Sequence, residues 1–260
     1  MNSIDASTRA LFEQLPPWPL REPHTARLDG ATVVIVPGAF YQTHKDTGAD
    51  GGVIREEAEH LGARTDIIPL PNLASLRSNA RQICAWLNRR TDQRAILVSL
   101  SKGSADVKAA LAEDPQAFTR VVAWVNVSGA LDGTPLVDWL FSGTLRSHWT
   151  RFLLWIRRHD IAAIRELAHN PGPIQLPAHM QAIHVVGFPE RKHLTSAFAR
   201  RCHKRLSHLG PNDGMGLLLA DTLRWSGIVV PVWGADHYLC ERRDLIRQVL
   251  GHLAEMEVPA

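Results

Sequence analysis

The chain has 260 residues, 45% of them hydrophobic and 21% charged, which is enough apolar material for a sizeable core and excludes a globally disordered chain. Its net charge is +3 and its basic pairs (Arg89–Arg90, Arg157–Arg158, Arg200–Arg201, Arg242–Arg243) are scattered, which argues against a nucleic-acid-binding face. Three cysteines without metal-ligand or redox spacing, a polar start carrying Asp5 and no apolar run of membrane-spanning length predict a soluble cytoplasmic protein with no disulfide framework and no metal.

Residues 1–29 read as an N-terminal arm. Pro16, Pro17, Pro19 and Pro23 forbid a continuous helix there and hold the backbone extended, while Phe12, Leu15, Trp18 and Leu20 pin the arm to the body. A strand–helix rhythm follows. Thr32–Val36 is a β-branched run closed by Pro37-Gly38, Val53–Leu61 a helix, Arg64–Ile68 a strand and Leu73–Arg89 a helix. Arg94–Leu100 is a strand, Lys102–Glu113 an alanine-rich helix and Val121–Val127 a strand. Beyond a long middle segment come a strand at Ala182–Val186, helices at 193–207 and 214–224, a strand at Ile228–Val232 and a helix at Glu241–Met256. The strands are continuous apolar runs that alternate with helices, which predicts a mostly parallel, doubly wound α/β sheet covered on both faces.

Residues 131–181 interrupt the rhythm. Trp139, Phe141, Trp149, Phe152, Leu153, Leu154, Trp155 and Ile156 crowd into a helical-looking insert holding three of the chain's eight tryptophans. Two helices on the sheet edge would account for it; so would a cap over an apolar substrate pocket.

The strand Arg94–Leu100 runs directly into Ser99-Leu100-Ser101-Lys102-Gly103 and then a helix. A nucleophile needs this strand–turn–helix setting, because the tight turn lifts a hydroxyl off the sheet edge and tolerates only small residues two positions to either side. Here those are Ser99 and Gly103, so Ser101 is the candidate nucleophile; its other reading is a helix N-cap. The Lys102 amide, first in the helix, would face the reacting carbonyl, with the Lys102 side chain pointing outward or covering the turn. A hydroxyl also needs a base. Most of the thirteen histidines, among them His60, His159, His203, His208 and His252, fall on surfaces or in helical patterns. His237, in Gly234-Ala235-Asp236-His237, instead follows the last strand and reaches the same sheet edge as Ser101. Asp213, in Pro211-Asn212-Asp213-Gly214, is the candidate for orienting the imidazole, with Glu190 in Gly187-Phe188-Pro189-Glu190 as rival; Asp236 is too close in sequence to point back correctly. The turn Pro37-Gly38-Ala39-Phe40-Tyr41 offers a second oxyanion donor, the amide of Ala39 or, preferred, of Phe40.

Together Val36-Pro37-Gly38, the Ser99–Gly103 turn, the Asp213 turn and Gly234-Ala235-Asp236-His237 resemble the α/β-hydrolase superfamily over about residues 30–256, with the superfamily's chain order of serine, acid and histidine. Ser99 departs from the usual glycine. The Pro-Asn-Asp-Gly turn looks like the acid-bearing turn of some bacterial lipases and esterases. The resemblance implies a single domain over 30–256, a cap at 131–181 after the sixth strand of the conventional count, and no metal or organic cofactor. It implies a serine hydrolase acting on a small, apolar ester through an acyl-enzyme. Thioesterase, lipase or acyltransferase chemistry would use the same residues, and a ligand-binding protein on a hydrolase scaffold is the reading from another class.

Overall fold

The computed structural model describes residues 3–18, 27–43, 47–90, 94–144, 146–148, 151, 160–239 and 242–255. Six strands make one sheet: β1 (Thr32–Val36), β2 (Arg64–Ile67), β3 (Ala95–Leu100), β4 (Val121–Val127), β5 (Gln181–Phe188) and β6 (Ile228–Trp233). Their order is β2-β1-β3-β4-β5-β6, and every neighbouring pair is parallel. The central strands read as they do because both of their faces are covered: every residue of β1 and β3 is buried. The edges are blunted. β2 carries Arg64 and Asp66 on its exposed side, and β6 carries Pro231, which an edge strand tolerates because it need not donate on its open side.

One face of the sheet is covered by α3 (Leu76–Asn88) and α4 (Lys102–Glu113), with Ile83 and Val107 packed on Val34, Leu97 and Trp124. The other is covered by α2 (Gly52–His60) and the C-terminal helix Arg243–Glu255, with Ile54, Leu245 and Val249 packed on Val33, Ile96 and Val125. Between these two helices the buried Glu57 accepts from Arg243 at 3.1 Å and Arg247 at 2.8 Å. The order of the sheet sets the place for chemistry. The chain leaves β1 outward to β2 and returns past it to β3, so β1 and β3 send their connections in opposite directions. Such a reversal is where open α/β sheets place their ligands, beyond the carboxyl ends of the strands, and Gly38–Phe40 and Ser101 follow those ends of β1 and β3.

The N-terminal segment differs from the extended arm expected. Residues Ser3–Phe12 form helix α1, because the prolines begin only at Pro16 and leave the preceding residues free to place Ile4, Thr8 and Leu11 on one buried face. Phe12 packs on Phe188 and Trp233, with ring centroids 5.6 and 5.1 Å apart, and Trp18 meets His252 edge-on at 4.6 Å. Leu15 also packs on the core, whereas Leu20 lies outside the described residues.

Residues 214–224 are not the continuous helix expected. A loop with an isolated bridge between Asn212 and Leu218 leads into a short 3-10 turn at Leu219–Arg224. Gly214 and Gly216 take φ of 88° and 138°, which no α-helix accommodates. Of the insert, the structure describes α5 (Pro135–Phe141) and α6 (Ile161–Arg165). Trp139 is sandwiched between Arg205 at 3.4 Å and Arg146 at 4.4 Å. Trp149, Phe152, Leu153, Leu154, Trp155 and Ile156 lie outside the described residues.

Candidate active site

Ser101 sits where β3 becomes α4, with φ 48° and ψ −116°, a conformation that costs a non-glycine residue energy and persists only where the surroundings over-determine it. Its side chain caps nothing, which removes the N-cap reading. The turn is gripped from several sides. Ser101 N–H donates to the Val127 carbonyl at 3.2 Å, and Ala130 N–H donates to the Ser101 carbonyl at 3.0 Å. Gly103 has no room for a side chain: a methyl group there would lie 2.5 Å from the Pro37 oxygen and 2.6 Å from that of Val36. The loop after β1 closes on the same spot, since a methyl group on Gly38 would lie 3.6 Å from Ser101 Cβ. Phe40 in that loop has φ 60°, a second strained residue at this edge.

His237 Nε2 is 3.0 Å from Ser101 Oγ, and His237 Nδ1 is 2.6 Å from Asp213 Oδ2. The other Asp213 oxygen accepts three backbone N–H groups, from Met215, Gly216 and Leu217, at 2.9, 3.0 and 3.0 Å. These convergent amides are what the left-handed glycines of the 214–216 loop make available, and they explain why no helix forms there. Burial alone would push the Asp213 carboxyl up. The His237 imidazole bonded to it, with the amides of Met215 and Leu217, outweighs burial and holds the group below the usual carboxylate range. With that carboxylate ionised, Nδ1 carries the imidazole proton and Nε2 is left to accept from Ser101.

The histidine loop is fixed as tightly. His237 N–H donates to the Asp213 carbonyl at 3.1 Å. The loop crosses so close over Gly187 that a methyl group there would lie 2.3 Å from the Ala235 oxygen. Asp236 accepts from the Thr195 amide and hydroxyl, both at 2.7 Å, and from the Tyr238 amide at 3.1 Å.

No protein-family profile and no curated protein matches this chain. Solved structures do. A metagenomic carboxyl esterase superposes with a TM-score of 0.69 at 22% identity, covering 88% of this chain and 77% of its own. The mature form of a Bacillus licheniformis lipase gives 0.63 at 19%, covering 93% and 95%. The mouse alpha/beta hydrolase domain-containing protein 10 gives 0.52 at 15%, covering 85% and 88%. The chain has the α/β-hydrolase fold.

Ser99 and Lys102, on either side of Ser101, are both buried. Ser99, which stands at the usual first glycine of the turn, is fully buried and has a use for its hydroxyl. Trp124 Nε1 donates to it at 2.7 Å, and it shares a 2.7 Å hydrogen bond with Ser104 Oγ on α4. The Lys102 side chain neither points outward nor covers the turn. It turns inward along α4 and pairs with Asp106 Oδ1 at 2.7 Å, because four residues bring the two onto one helical side and Asn79 completes the carboxylate's bonding at 3.0 Å. Burial lifts the Asp106 carboxyl above its usual range, against the pull of Lys102. The Lys102 amide, first of α4, has no partner within the helix and is available to a ligand.

Glu190 is spent elsewhere. It pairs with Arg9 at 2.6 Å and Lys192 at 2.8 Å, and His193 Nδ1 accepts from its amide at 3.0 Å. His203 falls on the helix Ala197–Leu206, in keeping with its helical pattern, and on that helix's buried side. Sequence reasoning missed Asn79, Asp106, Ser104 and Trp124. The four-residue spacing of Lys102 and Asp106 was a readable signal; the arrival of Asn79 and Trp124 from other elements was not. Among the described residues no group of three or more potential ligands could hold a metal, and no helix is long and apolar enough to cross a membrane.

Proposed function

We propose that this chain is a serine hydrolase that cleaves carboxylic ester bonds of a small apolar substrate through an acyl-enzyme. The observation that carries the reading is the unbroken run of short contacts from Ser101 through His237 to a buried, amide-supported Asp213 at the crevice of a hydrolase sheet. His237 takes the Ser101 proton as Ser101 Oγ attacks the acyl carbon, and the Lys102 and Phe40 amides receive the charge on the carbonyl oxygen. His237 then returns the proton to the leaving alcohol. Water, deprotonated by His237, releases the acid and restores Ser101. The carboxyl esterase and lipase among the similar structures support an ester as the bond cleaved.

The insert 131–181 acts as the cap. Its first helix is coupled to the acid loop, since a methyl group on Gly216 would lie 2.1 Å from Thr134 Oγ1, the N-cap of α5. The buried free thiols of Cys84 and Cys202, each pushed up to about 11 by burial, support a reducing, cytoplasmic setting.

The test is fluorophosphonate labelling of wild type, Ser101→Ala and His237→Ala beside turnover of p-nitrophenyl esters of graded acyl length. Labelling of wild type alone, with turnover peaking at one chain length, supports the reading. A folded wild type that binds an apolar ligand without labelling replaces it with a non-catalytic binding protein, and faster cleavage of thioesters moves the substrate class.

A further inference from the structure

The residue after Ser101 carries a pairing that its helix does not need. Lys102 opens α4, where unpaired amides and the helix dipole disfavour a cation. Its partner Asp106 lies four residues further on, which is the weaker direction for such a pair. Both are buried all the same, Lys102 at 4% exposure and Asp106 at 1%. The ammonium reaches both carboxylate oxygens, at 2.7 and 2.9 Å. Asn79, arriving from α3 and itself buried, donates to the same carboxylate at 3.0 Å. Core stability does not account for the pair either, because apolar side chains of similar volume commonly serve as well or better than a buried ion pair.

What the pair does accomplish is geometrical. Residue 101 is held by its bonds to Val127 and Ala130, and residue 103 by its fit against the Val36 and Pro37 carbonyls. Residue 102 stands between them with an N–H that the helix itself leaves unpaired, while its side chain runs along α4 to Asp106, which Asn79 ties to α3. We propose that the Lys102–Asp106 pair, seated on Asn79, is a positioning device that holds the Lys102 peptide in the orientation where its N–H meets the developing oxyanion. Lys102 thus serves twice, through its amide as donor and through its side chain as anchor. The inference rests on the serine-hydrolase reading.

The test uses the full chain and compares fluorophosphonate labelling rates with kcat and KM for a p-nitrophenyl ester. Lys102→Met/Asp106→Asn removes both charges and leaves an amide for Asn79. The expected result is a folded protein by circular dichroism, about 10- to 100-fold slower in both labelling and kcat, with KM unchanged. Lys102→Arg, which re-forms the pair, recovers most of the rate. A double variant that folds and labels at the wild-type rate overturns the inference, even where its melting temperature has moved. Should the double variant not fold, Asn79→Ala decides: slower labelling at unchanged KM supports the device, and the wild-type rate overturns it. A wild type that fails to label removes the hydrolase reading itself, whereas equal labelling of wild type and variants removes only this inference.

Discussion

His237 Nε2 lies 3.0 Å from Ser101 Oγ although the two residues are 136 positions apart. The distance follows from two unrelated loops reaching one sheet edge, the turn after β3 and the loop after β6. Each is held by a glycine with no room for a side chain, Gly103 under the first and Gly187 under the second.

Asp213 and Glu190 make opposite predictions. Asp213→Asn leaves the imidazole without a partner to fix its tautomer, and kcat should fall by roughly 10³- to 10⁴-fold with the fold intact. Glu190→Gln disturbs the contacts to Arg9 and Lys192 and the local cap at Arg191–His193, none of which touches Ser101 or His237, and kcat should stay within about twofold of wild type. Steady-state kinetics on the two variants decide; the reverse ranking would move the acid to Glu190.

Gly103→Ala should be severely destabilising, by about 3 kcal/mol, because the new methyl group meets the backbone oxygens of Val36 and Pro37 at 2.6 and 2.5 Å and neither can move aside. Gly172→Ala is the control, since nothing lies within 4 Å of the position. Urea denaturation of both, with equal melting of the two variants as the contrary result, checks the packing of the turn.

Restoring the usual glycine with Ser99→Gly should harm this chain. It strands the buried Trp124 indole N–H and takes away a partner of Ser104, which costs about 1–3 kcal/mol. Turnover at 25 °C should hardly change, because no reacting atom is touched. A variant as stable as wild type in chemical denaturation would show that the Trp124 bond contributes nothing.

His184 predicts an acid-side loss of stability. Burial pushes its imidazole down to about 4, and the neutral ring accepts from Asn126 at Nδ1 (3.0 Å) and donates to the Ser226 carbonyl from Nε2 (2.9 Å). The unfolded chain takes up a proton near the ordinary imidazole value of 6.5 and the folded one does not until about 4. Stability is therefore full above 6.5 and falls as the pH drops towards 4, by roughly 3 kcal/mol in total. His203, whose folded value is also lowered by burial, adds in the same direction. Asp213, held low, contributes at still lower pH, its stabilisation being lost as the solution falls below about 4. Denaturation midpoints from pH 7 to 4 should fall for wild type and fall less for His184→Gln; parallel slopes would count against a neutral buried His184.

The sequence by itself determined the α/β class, because strands buried on both faces must be apolar throughout. It also marked the Ser99–Gly103 turn, since an apolar strand run followed at once by small residues and a helical pattern is a short-range signal. Lys102–Glu113 and Val121–Val127 were readable to the residue for the same reason: helix-forming and β-branched runs act over a few neighbours. Only the tertiary structure decided what each side chain meets. The 214–224 segment looked helical by composition, yet its amides are recruited by the Asp213 carboxylate, a partner that local propensity cannot see. Helix α1 was hidden behind its prolines, because its stability comes from Phe12 on Phe188 and Trp233, more than 170 residues away. The Lys102 side chain, expected to point outward or cover the turn, is drawn inward by Asp106, which Asn79 holds from α3. Long-range packing, which sets burial and so the worth of every charge and hydrogen bond, is settled by the whole chain at once.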